Sequence, residues 1–182
     1  MVTVQDIKKD LPNWPDEVVS GWLLGLANRL DTGWPPPADI NDHARGPILG
    51  WRPLAWWKNV TWTLEEQDLS YDALCKGTQK IAVDMVKEIE EGDASDNSEE
   101  RFKRALGHLV EAGEFQVAPV VMKLDDGISV IDGNHRVTAL LSTQANSEGL
   151  AEQGLKTPRT QQKVWMGQHS DGEVPLDYPE GL

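Results

Sequence analysis

Cysteine is nearly missing from this chain: among 182 residues only Cys75 carries a thiol. One thiol excludes an intrachain disulfide and a zinc site built on cysteines, and it makes a cytoplasmic protein the expectation. Basic residues are also scarce, with 17 Lys and Arg against 30 Asp and Glu and a net charge of −13. A surface of that sign cannot hold DNA indiscriminately, because phosphate contacts need local positive charge. No apolar run is long enough to span a bilayer, and Met1-Val2-Thr3-Val4-Gln5-Asp6 does not read as a signal peptide, so no membrane insertion is expected. The Walker P-loop, the His-Glu-x-x-His word and the Gly-x-Ser-x-Gly elbow are all absent.

What is present in excess is tryptophan. The chain has eight, and four of them lie between Trp51 and Trp62. The segment Gly46 to Lys58 combines Trp51, Trp56 and Trp57 with Pro47 and Pro53 and has no clear period. From His43 to Leu64 there is no Asp or Glu, while Arg45, Arg52 and Lys58 are present. Bases can stack on aromatic rings while cations hold phosphates, so Arg45, Arg52, Lys58, Trp56 and Trp57 are the candidate DNA contacts. The competing reading is that an irregular segment needs bulky side chains to pin it to a core.

The length suits one domain with extensions. Pro15, Asp16 and Glu17 mark a helix start, and Val18, Val19, Trp22, Leu23, Leu26 and Leu30 continue it at helical spacing. Val60 to Glu65 alternates as a strand. Thr78 is the expected N-cap of a helix that buries Ile81, Met85, Val86 and Ile89 and stops at Gly92. A second helix is expected from Ser98, with Phe102, Ala105, Leu106 and Leu109 inward and Gly113 as its stop. Gln144 to Gln162 reads as a polar surface excursion, Lys163 to Met166 as a short last strand, and 167–182 as a tail. The organisation expected is an extension over 1–59, a core over 60–166 and that tail.

The chemistry-bearing stretch is Val130 to Leu141. Val120 to Leu124 and Ile128 to Ile131 are apolar runs separated by Asp125-Asp126-Gly127, a hairpin signature. Beyond Ile131 the period becomes helical through Val137, Leu140 and Leu141. Asp132-Gly133-Asn134-His135-Arg136 therefore sits at a strand-to-helix junction. The first amides of a helix lack internal partners and favour an anion, and Arg136 adds a permanent cation. The turn is thus a candidate phosphate site, although Asp132 could equally be a plain helix cap.

The layout Ala118-Pro119-Val120-Val121, then Asp132 to Arg136, then Thr138-Ala139-Leu140 resembles the ParB/sulfiredoxin superfamily over roughly Val60 to Met166. That resemblance implies an α+β fold, a small mixed sheet with packed helices, here carrying an N-terminal helical extension. Sulfiredoxins hold their nucleophilic Cys just before the His-Arg of this turn. Asn134 stands there instead, so thiol chemistry is not expected and Cys75→Ser should keep any activity.

The resemblance further implies a nucleotide site and a nuclease. Gly133 and Asn134 would offer donors to ATP phosphates, with Arg136 neutralising them. Asp132 would hold Mg2+ or cap the helix, and His135 would serve as acid or donor, making Asp132, His135 and Arg136 the catalytic candidates. Glu65 and Glu66 would supply a carboxylate or remain exposed strand-end charges. Small free-standing members of this type include plasmid fertility-inhibition factors that block DNA transfer through a type IV secretion system. DNA, nucleotide and secretion-system or transfer proteins are accordingly the expected partners. The reading of another class is a non-catalytic, nucleotide-dependent binding or adaptor protein. An Arg at a helix start is usually exposed, so Arg136→Ala is expected to spare the fold.

Overall fold

A computed structural model describes residues 1–29, 34–35 and 52–172. The chain is a mixed α+β protein built around a four-stranded mixed sheet with packed helices. It divides into two compact units, one of residues 1–63 with 166–182 and one of residues 64–165. His43, Arg45 and Trp51, and the tail from position 173 on, lie outside the described residues.

The first unit begins with α1 (Val4–Lys8), whose Thr3 and Asp6 cap each other reciprocally. Next come α2 (Asp16–Val18), a single widened turn over Val19–Leu23, and α3 (Leu24–Arg29). Val18, Val19, Trp22 and Leu23 are buried, as their helical spacing predicts. A short helix, α4 (Leu54–Trp57), completes the unit's helices among the described residues. Trp14, Trp22, Trp57 and Trp62 pack face to edge and face to face, with ring centroids 5.0–6.3 Å apart. Trp57 is fully buried, and Trp14 Nε1 donates to its carbonyl at 3.3 Å. Aromatic rings therefore supply much of this unit's apolar burial.

The sheet order is β1-β4-β2-β3, with β1 (Val60–Asp68), β2 (Val120–Leu124), β3 (Gly127–Asp132) and β4 (Gln161–His169). The unit boundary falls within both β1 and β4. β4 runs to His169, past the expected end at Met166; burial alternates over 161–164 and again over 167–169, with the phase reversed at Trp165 and Met166.

The second unit holds the hairpin of β2 and β3, antiparallel with a bulge between Val120 and Val121. Val120, Val121 and Met122 are all buried, because β2 is interior and covered on both faces. Gly127 opens β3 at φ 141°, and a Cβ there would come within 2.8 Å of the Ala73–Cys75 backbone. That approach lets Cys75 N–H donate to Ile128 O at 3.0 Å.

The three long helices of this unit are α5 (Lys76–Glu91), α6 (Asp96–Ala112) and α7 (Asn134–Ala145), with α7 packed against both others. Gly92 and Gly113 end α5 and α6 as expected. Their starts differ from the sequence reading. α5 begins at Lys76, whose N–H is taken by Asp126 Oδ2 at 3.1 Å, so a tertiary carboxylate replaces the local cap. Thr78 lies inside the helix instead, its Oγ1 accepting from Val130 N–H at 3.0 Å. α6 begins two residues earlier than Ser98, with Ser95 as its N-cap.

The expected surface excursion contains α8 (Ser147–Glu152) and ends on a buried residue. Gln162 donates to Gly113 O and Arg159 O and accepts from Phe115 N–H. A buried amide so completely satisfied tethers the end of α6 to β4.

Candidate functional site

Gly133 is the hinge of the turn. Its φ of 103° swings the chain out of β3 and into α7 without a Cβ, which would lie 2.9 Å from the Arg136 guanidinium. The ladder of α7 begins where Arg136 N–H donates to Gly133 O at 2.9 Å. The amides of Asn134 and His135 precede that bond and have no partner inside the helix.

Arg136 folds back along the turn. Its Nη2 meets Asp132 Oδ2 at 2.5 Å and its Nη1 donates to Val117 O at 2.8 Å. The side chain keeps only 21% of its exposure. Arg136 is thus a brace joining the end of β3 to the segment before β2, which corrects the expectation of a freely exposed arginine. Burial raises the pKa of Asp132 above the ordinary carboxylate value, against the lowering influence of Arg136, Arg101 and the Gly133 amide.

His135 points at a different helix. Its Nε2 lies 2.9 Å from Ser98 Oγ, in the first turn of α6. Two helix N-termini therefore converge here, one carrying Ser98 and the other His135, and both dipoles present their positive ends. Burial lowers the pKa of His135, and the charges of Arg101 and Arg136 lower it further. All three influences favour the neutral ring. Arg101 lies one turn beyond Ser98 on α6, and its charge acts on Asp132 as well as His135. Asn134 Oδ1 is buried without a hydrogen-bond partner, a state normally completed by water or ligand.

The lowered pKa has a thermodynamic consequence. The unfolded chain protonates this histidine first as pH falls, so its contribution to stability is present above pH 6.5 and is lost as pH drops through the folded value. Asp132 acts in the opposite sense, at lower pH, because its folded pKa is raised. Urea unfolding between pH 7.5 and 5.5 should show a stability loss for the native protein that is smaller in His135→Gln. Equal losses in the two would mean that the ring is not held neutral by its surroundings.

Asp132, Gly133, Asn134, His135 and Arg136 are thus gathered in one place, and Ser98 and Arg101 join them. In the sequence Ser98 is legible only as a helix start, and Arg101 is one of a set of cations on α6 with Lys103 and Arg104. The structure separates that set, since Lys103 pairs with Glu99 at 2.5 Å on the solvent side of α6. Glu65 and Glu66 do not join the turn. They lie on β1, three strands from β3, or about 14 Å at ordinary strand spacing. Glu65 accepts from Gln67 Nε2 at 2.7 Å, and Glu66 is exposed. Cys75 is buried, its thiol 3.4 Å from Thr78 Oγ1.

Of the candidate DNA contacts, Arg45 falls outside the described residues. The guanidinium of Arg52 lies 5.2 Å from the centre of the Trp56 ring. Trp56 is 7% exposed and Trp57 fully buried, so both rings are spent on packing in this conformation. Lys58 Nζ is 3.7 Å from Asp10 Oδ1, which offsets its charge.

As for metals, among the described residues no group of three or more His, Cys, Asp or Glu could hold an ion. Asp132 contributes one carboxylate, already engaged by Arg136. No described helix is long and apolar enough to cross a membrane. Comparison with known proteins adds no relative: no family model matches the chain, and neither a curated protein nor a solved structure does.

Proposed function

We propose that the Asp132–Arg136 turn binds and hydrolyses a nucleoside triphosphate, ATP in the first instance. The observation that carries this reading is the meeting of two helix N-termini at the Ser98–His135 contact, with Arg101 and Arg136 on the same two helices. Amides without an intrahelical partner, two guanidinium charges and helix dipoles together suit an anion with several oxygens. The open acceptor on Asn134 leaves room for a ligand hydroxyl or water. Mg2+ would arrive with the nucleotide, coordinated chiefly by phosphate oxygens and water, since Asp132 alone makes no cage for it.

The finer reading rests on the ParB/sulfiredoxin resemblance of the turn and its flanking strands. On it the protein is a DNase as well as an ATPase, in the manner of the plasmid fertility-inhibition protein Osa. It would then work in the cytoplasm, meeting secretion-system or transfer proteins and blocking DNA transfer through a type IV secretion channel. Phosphate release from ATP and nicking of supercoiled DNA, both with Mg2+, are the direct assays. ATP binding without either activity would instead favour the nucleotide-dependent adaptor.

DNA contact, at a net charge of −13, has to be local. Replacing Arg45, Arg52 and Lys58 together by alanine should weaken DNA binding and flatten its logarithmic salt slope by about three units, one per phosphate contact. ATP hydrolysis at the turn should persist. An unchanged slope would show that DNA engages other cations or is not a ligand.

A further inference from the structure

We infer that Ser98 is a nucleophile activated by His135, and that it takes the phosphoryl group from the nucleotide bound at the turn. The inference rests on the nucleotide reading for its donor but on separate geometry for its chemistry. Ser98 Oγ and His135 Nε2 are 2.9 Å apart although 37 residues separate them in sequence. A serine at this place in a helix commonly turns its hydroxyl to its own backbone. Here the backbone role is taken by Ser95, whose Oγ accepts from Ser98 N–H at 3.3 Å, and the Ser98 hydroxyl is left to meet the imidazole. A nucleophile within hydrogen-bond reach of a neutral imidazole is the arrangement that base activation requires.

The surroundings select phosphoryl over acyl transfer. An acyl-transfer intermediate develops one oxyanion, for which two amides suffice. A transferring phosphoryl group spreads its charge over three equatorial oxygens. The site brings Arg101, Arg136 and the amides of Asn134 and His135 to that task. With Nε2 accepting from the hydroxyl, the ring carries its proton on Nδ1. In the step, a bond forms from Ser98 Oγ to the γ-phosphorus. The bond from that phosphorus to the β–γ bridging oxygen breaks and ADP leaves, while the hydroxyl proton passes to His135 Nε2. Water then cleaves the phosphoserine, releasing inorganic phosphate and restoring Ser98.

Diisopropyl fluorophosphate tests the dyad without relying on nucleotide. Its phosphorus should bond to Ser98 Oγ with loss of fluoride, and peptide mass spectrometry of the intact protein's digest should place the adduct on Ser98. Labelling should be slower in His135→Ala by about 10²-fold or more. Ser98→Ala should lose ATP hydrolysis while still binding a fluorescent ATP analogue, and acid quenching of the native protein with γ-labelled ATP should trap phosphoserine at position 98. Absence of the fluorophosphate adduct, or labelling at an undiminished rate in His135→Ala, overturns the inference even if ATP is hydrolysed. Water would then attack directly, with Ser98 only fixing the imidazole. An adduct on Ser98 in a protein that neither binds nor hydrolyses ATP would retain the nucleophile and overturn the nucleotide reading with its phosphoryl donor.

Discussion

Arg136→Ala should lower ATP turnover by about 10²-fold or more, the usual effect of removing one preorganised charge from a transition state. It should also destabilise the protein, because Arg136 is a brace as well as a ligand group. Its guanidinium holds Asp132 Oδ2 at 2.5 Å and Val117 O at 2.8 Å. Loss of charge-assisted bonds at such a partly exposed pair costs about 2 kcal/mol. Asp132 would keep its burial and lose its cation, so its pKa should rise further above the ordinary carboxylate range. Activity must therefore be assayed well below the melting temperature of the variant, with circular dichroism showing it folded. Wild-type turnover in a folded Arg136→Ala protein would remove the phosphate site from this turn.

The second large effect belongs to the aromatic cluster. Trp57→Ala should destabilise its unit by about 3–5 kcal/mol, the range for emptying a buried Trp site. Trp57 has no exposed surface and lies within 6.3 Å, ring to ring, of Trp14, Trp22, Trp56 and Trp62. Urea unfolding followed by far-ultraviolet circular dichroism measures the loss. A variant destabilised by less than about 1 kcal/mol would contradict the packing role, since that is far below the usual range for emptying a buried Trp site. If such a variant also lost DNA binding, stacking on bases would again explain this tryptophan.

The hairpin and the junction after it were legible in the sequence because their causes are local. Two apolar runs divided by Asp125-Asp126-Gly127 specify β2, β3 and the turn between them, and the change of period after Ile131 specifies α7. The stops at Gly92 and Gly113 were legible for the same reason. The start of α5 was not, because the carboxylate that holds Lys76 N–H comes from Asp126, 50 residues away. The tryptophans pulled two ways. Spacing showed cations among rings, and only packing revealed that Trp56 and Trp57 turn their faces inward.

At the site itself, sequence alone determined that Asp132, Gly133, Asn134, His135 and Arg136 share one strand-to-helix turn, because neighbours in a chain need no fold to bring them together. Tertiary structure alone decided what those residues face. It tied Arg136 to Val117, set Ser98 against His135, brought the charge of Arg101 near enough to influence the turn, and left Glu65 and Glu66 on a distant strand. No periodicity encodes such partners. They follow from how α6 packs against α7 and from the order of strands in the sheet, and both are settled by burial of apolar faces far from the polar atoms that meet.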